Sequence, residues 1–253
     1  MKPLLRWLGL VLAAGLALQL YFVARVALMA VANPESTAFQ RSEAVRLARA
    51  GKLGQWRQHW VDYDGIADNL KRAVIASEDD GFVHHGGVDW EAVQEAWERN
   101  ERAEQRAAKA AQRAAARAKA AAAATAAGRP PKIVGGSTIT QQLAKNLFFS
   151  GERSLVRKGQ ELVVTLLLEA LLSKQRILEL YLNSVEWGEG VFGAGAAAQR
   201  YFNKPADRLA PIEAARLAVM LPRPRYFESL PHSPYVASRS ATIAARMPSA
   251  ELP

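Results

Sequence analysis

Residues 7–24 form an eighteen-residue apolar run broken only by Gln19, and residues 26–32 extend it. A spanning helix needs about 20 mostly apolar residues, so the run is long enough to cross a bilayer. Lys2 and Arg6 precede it, and basic flanks mark the cytoplasmic side. The N-terminus is therefore expected in the cytoplasm, and everything after residue 33 outside. The rival is a cleaved signal peptide, because Ala30-Val31-Ala32 has the small-x-small form of a cleavage site. Arg25, between the run and that site, and the length of the run favour a retained single-pass anchor over residues 1–32.

The 253 residues suffice for one large domain or two small ones, and half are apolar, so a real core can be buried. There is no cysteine, which excludes disulfides and thiolate sites. A net charge of +9 points to an anionic partner: nucleic acid, a phosphate-bearing substrate or lipid headgroups. Residues 33–61 read as a polar, partly helical connection in which Trp56 and Trp60 either pack on a helical face or rest at the membrane surface.

The densest chemistry lies in residues 77–89, SEDDGFVHHGGVD. Ile66, Leu70 and Val74 recur every four residues before it, which predicts a helix over about residues 65–77, capped by Asp62 or Asp64. Glu78 then sits at the negative end of the helix dipole, where its charged form is disfavoured and its pKa rises. A raised pKa suits a general base. The rival reading is a surface turn with incidental acids.

A helix is expected over residues 90–100. Residues 101–127 then collapse into Ala, Arg, Lys and Gln, with high helix propensity but little surface to bury, as an exposed basic helix or a disordered segment. Gly128-Arg129-Pro130-Pro131 ends it. No aromatics are interleaved to stack bases, so contact with anionic lipid or plain solvation is favoured over nucleic acid.

Residues 135–154 read GGSTITQQLAKNLFFSGERS. Gly135 and Gly136 allow a sharp turn, and Thr138 with Gln141 forms a capping box that opens a helix. Thr138, Gln141, Gln142 and Lys145 share one side of it, and Ile139, Leu143 and Leu147 the other. Hydroxyl, amide and ammonium groups at a helix N-terminus suit a polyol or an anion. The plain alternative is an ordinary amphipathic surface helix. Arg153, Arg157 and Lys158 cluster before a helix that is apolar over residues 162–168 except at Thr165, which predicts that it is largely buried. Arg157, Glu161 and Thr165 fall on one strip of it. They read either as the wall of a polar cleft or as a structural ion pair. Residues 174–202 read as helix, glycine-rich turn (Gly188, Gly190, Gly193) and alanine-rich helix. Residues 211–221 read as a helix, 222–227 as a turn, and the remainder as loop plus one short helix.

Taken in order, Glu78-Asp79-x-x-Phe82-x-x-His85-x-Gly87-x-Asp89, GGSTITQQLAKN, Arg157-Lys158-x-x-Glu161, ILELYLN with its following glycines and AAAQRYF, and the Glu213-Ala214 helix resemble the monofunctional, membrane-anchored peptidoglycan glycosyltransferases. The resemblance covers about residues 62–227, with residues 101–131 as an alanine/arginine-rich insertion and 228–253 as a tail. It implies a mainly α fold, with a larger lobe similar to lysozyme and a smaller membrane-facing jaw. It implies lipid II and the growing glycan-lipid chain as substrates, an inverting transfer that makes β-1,4 bonds, and release of lipid pyrophosphate. Glu78 matches the family's general base, and Glu161 its second carboxylate. Positioning the donor, tuning nearby cations or helping hold a divalent cation (Mg or Mn) all stay open for Glu161. Ser137, Thr138, Gln141 and Gln142 match cleft-contacting positions. Lys145, Arg153, Arg157 and Lys158 match the cations that face the leaving pyrophosphate. Asp79, Phe82, His85, Gly87 and Asp89 match the supporting loop, with Asp79 and His85 orienting Glu78. The sequence departs from the pattern at Val134, where an arginine often stands; Lys132 could supply that charge. No Ser-x-x-Lys follows these motifs, so polymerisation without cross-linking is expected. Other cell-wall synthesis or division proteins fit as partners; nucleic acid does not. The competing functions are a lysozyme-like muramidase, which would have no use for the phosphate-facing cations, and a non-catalytic lipid II-binding scaffold.

Overall fold

The computed structural model describes residues 2–120, 137–149 and 154–253. The chain divides into two compact units, Met1–Gly87 with Thr138–Pro253, and Val88–Ser137. Secondary structure is overwhelmingly helical.

The first helix, α1, runs Lys2–Leu28 and includes one stretch, Pro3–Leu28, long and apolar enough to span a membrane. Most of it is exposed; Phe22 and Val26 towards its far end, and Met29 just beyond it, are buried. α2 (Ala38–Arg49) opens on a capping box in which Thr37 and Gln40 exchange hydrogen bonds of 3.0 and 2.8 Å. A 3₁₀ turn over Leu53–Gln55 leads into a two-residue strand, β1 (Arg57–Gln58). Trp56 packs its ring 4.6 Å from that of Phe192.

α3 spans Asp68–Glu78 and starts later than the periodicity suggested. Neither Asp62 nor Asp64 caps it. Residues Tyr63–Gly65 are drawn into a separate 3₁₀ turn, and Ala67 stands at the N-cap with its N–H given to the Ala206 carbonyl instead. In the second unit, α4 (Trp90–Ala120) is one continuous helix, so its basic portion is helical as far as residue 120. Glu95–Arg99 and Glu98–Arg102 pairs one turn apart line it, as expected of a solvated helix.

α5 (Ile139–Phe148), α6 (Leu155–Leu171) and α7 (Lys174–Ser184) follow, each opened by a hydroxyl N-cap at Thr138, Ser154 and Ser173. α7 is the most enclosed element: every residue from Ile177 to Ser184 is buried. Apolar positions on α3, α5, α6, α7 and four later helices meet in one core, the arrangement that amphipathic helices require. α6 departs from expectation. Val164 and Leu168 are buried, but Leu162, Val163 and Leu166 are exposed, as are Leu155 and Val156 at its start. A run of apolar residues around a helix gives no sign of which face meets protein, so the sequence overstated its burial. α1 packs on α6. Gln19 and Gln160 exchange reciprocal amide hydrogen bonds of 3.0 and 3.1 Å, and the Phe22 ring lies 5.1 Å from that of Phe148.

The glycine-rich stretch is not a plain interhelical turn. It folds as β2 (Glu186–Gly188) and β3 (Val191–Phe192), antiparallel to one another, with β1 parallel on the other edge of β3 in the order β1-β3-β2. Gly190 at φ +74° turns the hairpin, a conformation that other residues rarely adopt. Strands this short carry no alternation to read. Then come α8 (Ala194–Phe202), α9 (Pro211–Met220), α10 (Pro224–Glu228) and α11 (Pro234–Arg246). α10 replaces the turn expected over 222–227. α11 is a full helix, packed on α3 and α9 through Val236 and Ile243. Residues 33–61 are tied in as well: the Asn183 amide on α7 holds both the N–H and the carbonyl of Val61, at 2.9 and 2.8 Å.

Candidate active site

Glu78 is the last residue of α3 and is partly buried. Its Oε2 accepts a 3.0 Å hydrogen bond from Gln142 Nε2 on α5, and Gln142 Oε1 accepts one of 3.0 Å from the hydroxyl of Tyr181 on α7. The ordering fixes the amide. A phenol whose proton is committed to Oε1 leaves Nε2 facing the carboxylate. The Glu78 carboxyl is pushed up, first by burial; the bonds from Gln142 and Ser77 and the positive charge of Arg239 pull it back down. Burial thus acts where the sequence suggested the helix dipole. Tyr181 is completely buried, and its phenol is pushed well up by burial and by the carboxylates of Glu78 and Asp79, so it stays a donor.

Asp79 is buried and works as a joint. Its Oδ1 meets His85 Nε2 at 2.8 Å, and its Oδ2 accepts the Ile139 N–H at 2.9 Å, one of the free amides of the α5 N-terminus. Thr138 donates its hydroxyl to the Gly87 carbonyl at 2.7 Å and completes the capping box with Gln141. Gly87 sits at φ +87°, where a Cβ would fall 2.8 Å from Thr165 Cγ2 and 2.9 Å from Glu169 Cγ. Only glycine fits. Phe82 is fully buried, with Lys174 Nζ 4.5 Å from its ring centre. Lys174 also donates to the His85 carbonyl at 2.6 Å and to Glu169 at 2.9 Å. The loop behind Glu78 is thereby fastened to α5, α6 and α7.

Glu161 on α6 is buried and holds two cations. Arg157 Nη1 lies 2.9 Å from one oxygen and Lys158 Nζ 2.6 Å from the other. Thr165 donates to the Glu161 carbonyl at 2.8 Å, completing the strip that the four-residue spacing outlined. Both Glu161 carboxylate oxygens are taken up by cations. Glu161 with these two partners is not by itself a donor set for a metal. Lys145 reaches solvent, yet its ammonium is pushed down, chiefly by desolvation, with Lys158 and Arg157 adding to the effect and Glu161 and Glu78 opposing it.

The structure therefore brings Glu78, Gln142, Lys145, Arg157, Lys158 and Glu161 into one electrostatic neighbourhood, with Asp79, Phe82, His85, Gly87, Thr138 and Gln141 behind. Ser137 is exposed just before the Thr138 cap. Asp89 accepts the Ala92 N–H at 2.8 Å and so caps α4 within its own unit. Lys132, Val134, Gly135, Gly136 and Arg153 lie outside the described residues, as does the Gly128–Pro131 stop. Sequence reasoning missed Tyr181, Glu169, Lys174 and Arg239. Glu169 was within reach, since it extends the strip by another four residues. Tyr181 sits at an apolar helical position and reads as core, and Arg239 lies in a segment read as tail.

The transglycosylase family model matches residues 44–111 and 112–248. The chain is 50% identical over 252 residues to a biosynthetic peptidoglycan transglycosylase of Burkholderia thailandensis, covering 98% of this chain and 88% of the relative. Relatives of the same description from Burkholderia pseudomallei and Burkholderia orbicola are also 50% identical, over 98% and 95% of this chain and 88% and 87% of theirs.

Proposed function

The chain belongs to the transglycosylase family and is a glycosyltransferase of peptidoglycan synthesis, and from that premise we propose that it polymerises lipid II into β-1,4-linked glycan strands with inversion at the donor's anomeric carbon. Glu78 takes the proton from the acceptor's 4-hydroxyl. That oxygen forms the new bond to the anomeric carbon, and the bond from this carbon to the lipid pyrophosphate breaks, its electron pair leaving with the pyrophosphate. Gln142, oriented by Tyr181, holds the Glu78 carboxylate in place before the substrate arrives. Lys145, Arg157 and Lys158, with Arg153, stabilise the departing charge. Glu161 keeps two of those cations in position. No step is routed through a divalent cation.

One observation carries this reading. Gln142, which holds Glu78, and Lys145 stand one turn apart on α5, and α5 packs against α6, which carries Arg157, Lys158 and Glu161, so a base and a phosphate-facing cluster share a single site. A hydrolase that activates water between two carboxylates would gain nothing from such a cluster. In the cell, the reading places the N-terminus inside and everything after residue 33 outside, on the periplasmic face of an inner membrane, with residues 1–32 as a single-pass anchor. It gives this chain no transpeptidase role.

The test is incubation of the purified protein with labelled lipid II beside Glu78→Gln, with products resolved on a glycan-sizing gel. A ladder from the wild type alone supports the polymerase and its base. Bound but unreacted lipid II would turn the reading to a scaffold, and shortening of pre-formed strands to a muramidase.

A further inference from the structure

At the far end of α1 the chain forms a half-open cavity of about 410 Å³, lined among others by Arg25, Asn33, Glu35, Ser36 and Arg41. Its size falls in the range of small-molecule sites, roughly 300–1,000 Å³. It belongs neither to the Glu78 site nor to the core. Two features make it a built site. The first is a guanidinium in the lining: Arg25 borders the cavity, although its Nε is closed off from that space and has no partner among the described residues. The second is a fixed wall. Arg176, at the start of α7, donates to the carbonyls of Met29 and Ala32 at 2.8 and 3.1 Å and to Asn33 Oδ1 at 2.7 Å. Arg41 is set by Ser36, through its carbonyl at 3.1 Å and its hydroxyl at 3.2 Å. The lining thus holds two guanidinium groups and one carboxylate, Glu35, and carries net positive charge.

Depth identifies the ligand. Arg25 lies 22 residues after Pro3, where the membrane-spanning stretch begins, which is about 33 Å along a helix. A hydrocarbon core about 30 Å thick ends there. The cavity thus opens at the level of the headgroups, next to lipid tails running beside α1.

We infer that this cavity binds the phosphodiester headgroup of an anionic phospholipid, with Arg25 and Arg41 as its guanidinium ligands. The inference rests on α1 being retained as an anchor. A planar guanidinium fork matches two phosphate oxygens better than an ammonium does, and Asn33 and Ser36 offer polar contacts to a glycerol headgroup.

The test uses the full chain reconstituted in phosphatidylcholine vesicles doped with phosphatidylglycerol, extracted gently and weighed intact with its bound lipid. The wild type is expected to retain phosphatidylglycerol in preference to phosphatidylcholine. Arg25→Gln and Arg41→Gln should each lower that retention about fivefold, the usual worth of one basic side chain against an anionic lipid surface. Arg25→Lys should restore only part of it. Each variant should still polymerise lipid II in detergent, which shows that it folds. Equal retention by wild type and by both glutamine variants overturns the inference, as does equal retention of phosphatidylcholine. Displacement of phosphatidylglycerol by equimolar undecaprenyl pyrophosphate overturns the choice of phospholipid in favour of the reaction's own lipid. A mass lacking residues 1–32 shows instead that the anchor was cleaved, which removes the site together with the reading on which it rests.

Discussion

Glu78 can accept a proton only as a carboxylate, and its surroundings act on that state in both directions. Burial pushes its pKa up, while Gln142, Ser77 and Arg239 pull it down. Activity should therefore fall as pH drops through a value above that of a free glutamate. Gln142→Leu removes a donor to the charged form, so its acid limb should move to higher pH in initial rates of glycan formation; an unmoved limb would show that Gln142 does not act on the base. Glu78→Gln should cut the rate by roughly 10²–10⁴-fold while keeping lipid II bound. The same residue has a signature in stability. A folded-state pKa above the unfolded one means that the native chain binds more protons in that window, so stability rises as pH falls through it. Glu78→Gln should accordingly melt higher than wild type at neutral pH, and the gap should close as Glu78 becomes protonated; calorimetry across pH would read this directly. Glu78 was legible because acid, histidine and glycine crowd one short stretch. Tyr181 was not, because a buried tyrosine on an apolar helix face looks the same whether or not its hydroxyl orients a catalytic amide.

At the scale of elements, the loop from Asp79 to Gly87 depends on one backbone conformation. Gly87→Ala combines a positive φ with contacts of 2.8 and 2.9 Å, and is expected to cost about 1–3 kcal/mol and to lower activity by loosening the loop behind Glu78. Denaturant melts beside polymerisation assays would check both. The structure makes α4 continuous to residue 120, but its polar, alanine-rich stretch has little to bury. Removing residues 102–127 should leave the larger unit's melting temperature unchanged. Loss of activity at normal stability would give the segment a role in the reaction. Elements that announce themselves by chemistry were readable: the Thr138–Gln141 box opens α5 as its spacing requires. Elements defined by partners far away in the chain were not. β1 and β3 are two residues each and exist only because residues 57–58 meet 191–192. The exposure of α6 depends on what lies beside it, which hydropathy cannot state.

Over the whole molecule, buried charge and exposed apolar surface both sit where segments distant in sequence are joined. Arg225 on α10 bridges Glu43 on α2 and Glu186 on β2, two buried carboxylates. Arg225→Met leaves Glu186 without its cation, while Glu43 keeps Arg46 at 2.6 Å. Removing one partner of a buried pair costs about 3–5 kcal/mol, and the partial exposure of Arg225 reduces this to roughly 1–3 kcal/mol, measurable by urea unfolding. The exposed apolar face of α6 lies on the helix that packs against α1, so it extends the surface that α1 offers to lipid. A chain lacking residues 2–32 should still sediment with vesicles, and serines at Leu162, Val163 and Leu166 should release it. The reciprocal amide pair between Gln19 and Gln160 reaches further than packing. Gln160 adjoins Glu161, and Gln19 lies nine residues before the end of α1, about 14 Å along its axis. The membrane-spanning helix is therefore an elevation mark for the reaction. Moving the mark back four residues, with Gly15→Gln and Gln19→Leu, would shift the cation cluster by about 6 Å along α1, away from the lipid-borne pyrophosphate, and should slow glycan formation.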